Sequence, residues 1–322
     1  FYREGEGSKY GWKEAGGSLN NYIFNNAEFA VNEVPMSAFT DKEWDSVASY
    51  GDAAIMVIGR VCGEGKDLPV AGAADANGNV LSISAEESRE LAELAAEKGV
   101  VNYVGFNNTQ NPANAYVREL VQSGALGKIM RFTGTYDQDQ LLDESLPITW
   151  RHIIKLAGWG ALAALGSHLL SISQFSMGDI TKVNAVATTV FPKRPKSAGS
   201  TEMVDVENED IMTFMAEYGN GAIGQIACWR VATGRKNYLT YEIQGTKGSV
   251  RYDLERMGEV QVYFQSDNER DRGFRTVLLN PQHEGFKYFQ PAGGIAIAFD
   301  DMKTLQAHAL MQAMHGGEYI CN

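Results

Sequence analysis

The sequence predicts an α+β fold (α/β in its leading part): a large open, mainly antiparallel sheet with helices on one face, preceded by an incomplete βαβ, Rossmann-like segment. Three observations carry that expectation. Six strand-like segments succeed one another after residue 181 with no helical segment between them. The turns Tyr218-Gly219-Asn220-Gly221 and Gly245-Thr246-Lys247-Gly248 join neighbours as hairpins, because Asn and Gly tolerate positive φ. The helix-forming segments lie mostly before that run.

Element by element, the first fifty residues hold no sustained period of 2 or 3.6 and read as loop. Residues 53–58 (AAIMVI) form a continuous apolar run closed by Gly59, the pattern of a buried parallel strand. Ser84 and Glu87 have capping-box spacing, AEESRELAELAAEK is built from good helix formers, and Gly99 stands at the stop; a helix over 85–98 follows. VVNYVGF, at 100–106, reads as a strand, completing one βαβ-like unit. Beyond it the pattern predicts a helix at 112–122, a strand at 128–136 and an apolar helix at 160–177. The sheet strands are expected at 182–190, 210–218, 222–231, 239–244, 249–254 and 260–265, with a closing helix at 299–314. The expected division is an incomplete α/β segment, 1–99, and one domain, 100–322. The chain opens on Phe1 rather than Met and ends just after a helix, so it reads as cut at both ends.

Composition narrows the function. The 322 residues are 44% hydrophobic and 10% aromatic, enough for a sizeable globular core. A formal charge of -12, with 28 Lys and Arg scattered along the chain, argues against nucleic acid. Cys62, Cys228 and Cys321 form no metal or disulfide spacing. No apolar run reaches membrane-spanning length and no signal-peptide pattern opens the chain, so a cytoplasmic setting is the default expectation and no membrane is expected as a partner.

A dinucleotide site needs strand, Gly-rich turn and helix in that order, so that backbone amides reach the pyrophosphate. Gly5-Glu6-Gly7 precedes any strand, and Gly63-Glu64-Gly65 runs into a loop. Neither is a GxGxxG fingerprint, and no cofactor-binding residue is assigned.

Several separated segments nevertheless agree with one family. VVNYVGFN, NPANAYVRELVQSGALGKI, YDQD, TWR, AGWGALAALGSHLL and YEIQGTKGSVRYDLERM resemble, in order, the C-terminal domain of the Gfo/Idh/MocA oxidoreductases over about residues 86–322. The resemblance implies an NAD(P)-dependent sugar or polyol dehydrogenase, with NAD or NADP on a Rossmann domain and a small sugar or polyol on the open-sheet domain. It also implies a homo-oligomer assembled through the sheet face. His168 matches the family's histidine, but Ala164 stands where the family usually has Asp, and Asn79-Val80-Leu81 occupies the stretch of its catalytic Lys. His168 is therefore either a proton-transfer group or a packed helix histidine. Tyr136, Asp137, Trp150 and Arg151 match substrate-side positions, again against plain packing. Asn108 stands where an aromatic or basic residue is frequent.

About residues 1–90 resemble instead the C-terminal domain of a family 3 glycoside hydrolase, in GWKEAGGSLN, DAAIMVIGRVCGEGKD and NVLSISAEES. That resemblance makes Glu64 a candidate general acid/base. A retaining glycosidase needs a second carboxylate about 5 Å away, and the family draws it from another domain. Three functions are thus expected: a dehydrogenase substrate domain inactive without its nucleotide half, a non-enzymatic assembly module using the open sheet, or a β-glucosidase remnant.

Overall fold

The structure is a computed structural model that describes residues 11–12, 31–32, 40–42, 45, 85–101 and 104–316. The chain divides into two compact units, Phe1–Asn102 and Tyr103–Asn322. The expected strand at 53–58, Ser84, Glu64, Cys62 and Cys321 lie outside the described residues.

In the first unit, Gly11–Trp12 pairs antiparallel with Val31–Asn32. Helix α1 spans Ala85–Lys98. It stops where the sequence places its glycine: Gly99 takes φ +63, and Gly99 and Val100 return their amides to Ala96 and Ala95. The expected strand at 100–106 is a correction. Its described residues join no ladder, and Val100 and Val104 are exposed; an apolar run becomes a strand only where a partner supplies hydrogen bonds.

The second unit is built on an eight-stranded sheet. Its strands are β1 (Ile129–Asp137), β2 (Ile180–Thr188), β5 (Ile211–Tyr218), β6 (Ile223–Trp229), β7 (Tyr238–Gly245), β8 (Gly248–Asp253), β9 (Glu259–Phe264) and β10 (Arg275–Leu278). A separate hairpin, β3 (Lys193–Pro195) with β4 (Met203–Asp205), lies between β2 and β5. The spatial order is β10-β9-β8-β7-β1-β6-β5-β2, and every pairing is antiparallel except β1 with β6. The two glycine turns make the β5–β6 and β7–β8 hairpins, with Gly221 at φ +82 in the first. The β3–β4 hairpin and β10 have no counterpart in the sequence reading: both are short, and Lys-Arg-Pro against Met-Val-Asp shows no apolar alternation.

The longer helices of the unit are α2 (Pro112–Gln122), α3 (Ser167–Met177) and α4 (Phe299–Met314). Asn111 caps α2 by accepting from the Ala113 amide, and Pro112 occupies the first turn, where its missing N–H costs nothing. One face of the sheet is buried with α2 and α3, as period 2 dictates: Met212, Phe214, Ala216 and Tyr218 of β5 alternate with exposed residues. Phe132 sits in this layer, stacked on Tyr241 with ring centroids 5.4 Å apart, beside Val117, Leu169 and Ile226 of the same core. The other face is open, and its concavity of about 940 Å³ is lined by residues including Arg131, Thr135, Gln225, Glu242, Arg251 and Asp253. The edge strand β2 is exposed along nearly its whole length.

The expected single α-helix at 160–177 is modified. Leu162–Gly166 forms a π turn, with the Ser167 amide reaching back five residues to the Leu162 carbonyl, before α3 begins. Gly166 makes this possible, since a Cβ there would lie 2.9 Å from Leu162 Cδ1 and 3.1 Å from Cys228 Sγ. Insertions of this kind recur at functional sites.

Candidate functional site

Period 2 decides which of the candidate residues meet. Tyr136 points from the end of β1 to the helix-covered face and is 8% exposed. There its ring faces the His168 imidazole edge-on, with centroids 6.1 Å apart at 74°. Phe106 meets the same imidazole at 5.3 Å and 84°. Two aromatic edges thus orient the ring, each worth about 0.5–1.5 kcal/mol beyond the area it buries. Ala164, four residues before His168, lies in the π turn and is exposed, so no carboxylate from this position reaches the imidazole.

Asp137 goes the other way. It falls on the open face opposite Tyr238, where Thr135 Oγ1 donates to Oδ1 at 2.5 Å. Burial raises its pKa, and the Thr135 hydrogen bond and nearby Arg235 act in the opposite direction. Tyr136 and Asp137 are therefore not parts of one cluster, because neighbouring strand residues face opposite sides.

Gln138, which the sequence reading passed over, continues the Tyr136 side. Its amide donates to the Trp229 carbonyl and its carbonyl accepts from Ala232, both at 2.8 Å. Gln138 Nε2 donates to Asn237 Oδ1 at 2.5 Å and to the Tyr136 hydroxyl at 3.3 Å. The Tyr136 hydroxyl in turn donates to Asn237 Oδ1 at 3.3 Å. The i, i+2 spacing in YDQD was the available signal.

Trp150 and Arg151 lie on a 3₁₀ turn, Trp150–His152. The Arg151 guanidinium stacks on Trp150 at 4.7 Å, while the Arg151 carbonyl accepts from Asn208 Nδ2 at 2.8 Å and Arg230 Nη1 at 3.0 Å. His152 is fully buried, with Nδ1 accepting the Thr149 amide at 3.0 Å. Burial, then Arg230 and Arg194, pushes its pKa down to about 4. The sign follows: the unfolded imidazole takes its proton near pH 6.5 and the folded one resists it. His152 therefore contributes stability above pH 6.5 that is lost as pH falls toward 4, at up to roughly 1.4 kcal/mol per pH unit. Denaturant titrations at several pH values check this; His152→Phe is expected to flatten that slope, and an unchanged slope would exclude His152 as its source.

The helix carrying His168 is held at its start by Glu209. Its carboxylate accepts the amides of Gly160 and Leu162, both at 2.9 Å, and its carbonyl accepts that of Ala161 at 3.0 Å. Gly160 is required by this approach, because a Cβ there would lie 2.0 Å from the Glu209 carbonyl oxygen. Gly160→Ala is expected to lose about 1–3 kcal/mol in urea unfolding, the usual cost of overpacking; a change within 0.5 kcal/mol would mean the contact yields freely.

A profile of the GFO/IDH/MocA C-terminal domain matches residues 114–251, which include Tyr136, Trp150, Arg151 and His168. Residues 114–251 thus match a GFO/IDH/MocA C-terminal domain. Sugar dehydrogenases are among the proteins to which the chain is similar. Levoglucosan dehydrogenase of Pseudarthrobacter phenanthrenivorans is 36% identical over 250 residues, covering 74% of this chain and 64% of that protein. The structure of a levoglucosan dehydrogenase in complex with NADH and levoglucosan superposes with a TM-score of 0.68 at 36% identity, covering 72% of this chain and 62% of the other. An NAD-binding oxidoreductase from Klebsiella pneumoniae gives 0.69 at 35% identity, with 75% and 64% covered. The chain thus spans less than two thirds of the length of these relatives. The assignment rests on the second unit, and no finding supports the glycoside hydrolase resemblance of the first. No described helix is long and apolar enough to cross a membrane.

Proposed function

We infer that this chain carries the substrate side of an NAD(P)-dependent sugar or polyol dehydrogenase and does not turn over without a nucleotide-binding domain. The observation that supports the reading best is the placement of His168 against Tyr136 within the GFO/IDH/MocA domain. A neutral imidazole there accepts the proton of a substrate hydroxyl, which makes the carbon more ready to lose hydride, and returns the proton in the reverse reaction. Trp150, Arg151 and Asp137 would contribute to a sugar site only from its margins.

Oxidation also requires a hydride acceptor, and a nicotinamide dinucleotide supplies that chemistry when bound. The described residues do not fit it: among them no strand, glycine turn and helix succeed one another to cradle a pyrophosphate. Ala164 supplies no carboxylate to the imidazole, and the groups that position His168 include Phe106 and Tyr136.

The test is equilibrium titration at micromolar protein, first with NADH and NADPH, then with levoglucosan. Millimolar sugar binding without dinucleotide binding is the expected result. Saturable micromolar NADH binding, or NAD-dependent oxidation of levoglucosan, would overturn the proposed dependence on a further domain.

Assembly is a second reading, favoured by the open face. There Met215, Ile223 and Trp229 are each at least 40% exposed, beside the polar rows of β7 and β8. Exposed apolar side chains on one sheet face are what a second copy would cover, and a homo-oligomer through the sheet face is the proposed partner. Sedimentation that stays monomeric up to high concentration would remove it. The β-glucosidase reading stands on Glu64 alone, and no hydrolysis of a chromogenic glucoside is expected.

A further inference from the structure

We propose that Gln138 and Asn237 are the specificity-determining pair of the site, reading neighbouring hydroxyls of an uncharged sugar, and that Asn237 also positions Tyr136 beside His168. The inference rests on the sugar reading above and names what selects the sugar.

The hydrogen-bond inventory carries it. Asn237 Oδ1 accepts from both Gln138 Nε2 and the Tyr136 hydroxyl. That arrangement uses the carbonyl of one amide and the NH₂ of the other, leaving the Gln138 carbonyl Oε1 and the Asn237 NH₂. Neither of those groups has a protein partner among the described residues, and neither is sealed from solvent. An acceptor and a donor therefore stand side by side, one bond away from the phenol that faces His168. A hydroxyl both donates and accepts, so two adjacent hydroxyls fit this pair.

The frame behind the pair is rigid. Gln138 is pinned on both sides of its backbone, to Trp229 and Ala232. The Asn237 amide donates to Glu255 Oε1 at 3.2 Å, and its carbonyl accepts the Leu239 amide at 2.9 Å. The charged groups of this loop are engaged elsewhere: Lys236 Nζ with Asp139 at 2.7 Å, and Arg235 over the Tyr238 ring at 3.5 Å. Recognition by amides, with the described cations of this loop engaged, favours a neutral polyhydroxy ligand over a sugar acid or a sugar phosphate.

The test is calorimetric titration of the full chain with levoglucosan, D-gluconate and glucose 6-phosphate, for the wild type, Asn237→Ala and Asn237→Asp. Asn237 is exposed, and thermal melting checks that both variants fold. Asn237→Asp keeps an acceptor for Tyr136 and Gln138 but removes the NH₂. The expected result is levoglucosan binding by the wild type, at least about tenfold weaker binding by both variants, and a similar preference over the two anions. Wild-type binding with unchanged affinity in Asn237→Asp, or equal affinity for an anionic sugar, would overturn the proposal and leave the sugar reading standing. No wild-type binding to any of the three would overturn both.

Discussion

Asp210→Ala is expected to lower stability by about 3–5 kcal/mol, the range for removing one partner of a buried ion pair. Asp210 is fully buried, and its Oδ1 accepts from Arg230 Nε at 2.8 Å. Its Oδ2 accepts the amides of Val190 at 2.8 Å and Phe191 at 3.1 Å. Truncation leaves a buried guanidinium without its counter-charge and two amides without an acceptor. Arg230 is only 5% exposed along its side chain, so water cannot replace what is lost. Urea unfolding followed by near-ultraviolet circular dichroism measures the change. A loss below 1 kcal/mol would mean that Arg230 finds another partner. Arg230→Met combined with Asp210→Leu is expected to recover part of the loss, because a pair removed together leaves no orphaned charge.

Asp210 ends a three-residue hub, Asn208-Glu209-Asp210, that joins segments far apart in the chain. Asn208 Oδ1 accepts from Arg230 Nη2 and its Nδ2 donates to the Arg151 carbonyl. Glu209 holds the start of the His168 helix. None of this was legible in the sequence, where Asp210 reads only as the first residue of a strand. Partners lying 19 to 57 residues away leave no local periodicity to detect.

What was legible has local causes. Helix α2 matches its expected bounds because Asn111, Pro112, Ser123 and Gly124 punctuate both ends. The β5–β6 hairpin follows from its glycine turn. The parallel contact of β1 with β6 could not be read, because it joins residues about ninety positions apart with α3 and four strands between them. The candidate site divides in the same way. His168 and Tyr136, which the sequence singles out separately, lie in contact. Asp137 was grouped with Tyr136 by adjacency, although the strand period places them on opposite faces. Gln138 was missed, although the same period assigns it to the Tyr136 side. The alternation that exposes the first error would have exposed the second.

Glu209→Ala is expected to cost about 3–5 kcal/mol, and it acts on the site as well as on the fold. The carboxylate is 5% exposed and makes two charge-assisted bonds to amides at a helix start, where the helix dipole adds to the attraction. Such bonds contribute about 1.5–3 kcal/mol each, and each orphaned amide adds its own desolvation cost. Glu209→Gln keeps one carbonyl acceptor and is expected to lose about half as much. The consequence for function comes through geometry. Gly160 to Leu162 lead into the π turn, and the π turn sets where His168 stands relative to Phe106 and Tyr136. Loosening that start lets the imidazole shift relative to Phe106 and Tyr136. In Glu209→Ala the ring-current-shifted His168 proton resonances are therefore expected to move toward those of a free imidazole, under conditions where unfolding measurements show the protein still folded. Unmoved resonances alongside a large stability loss would confine Glu209 to the fold.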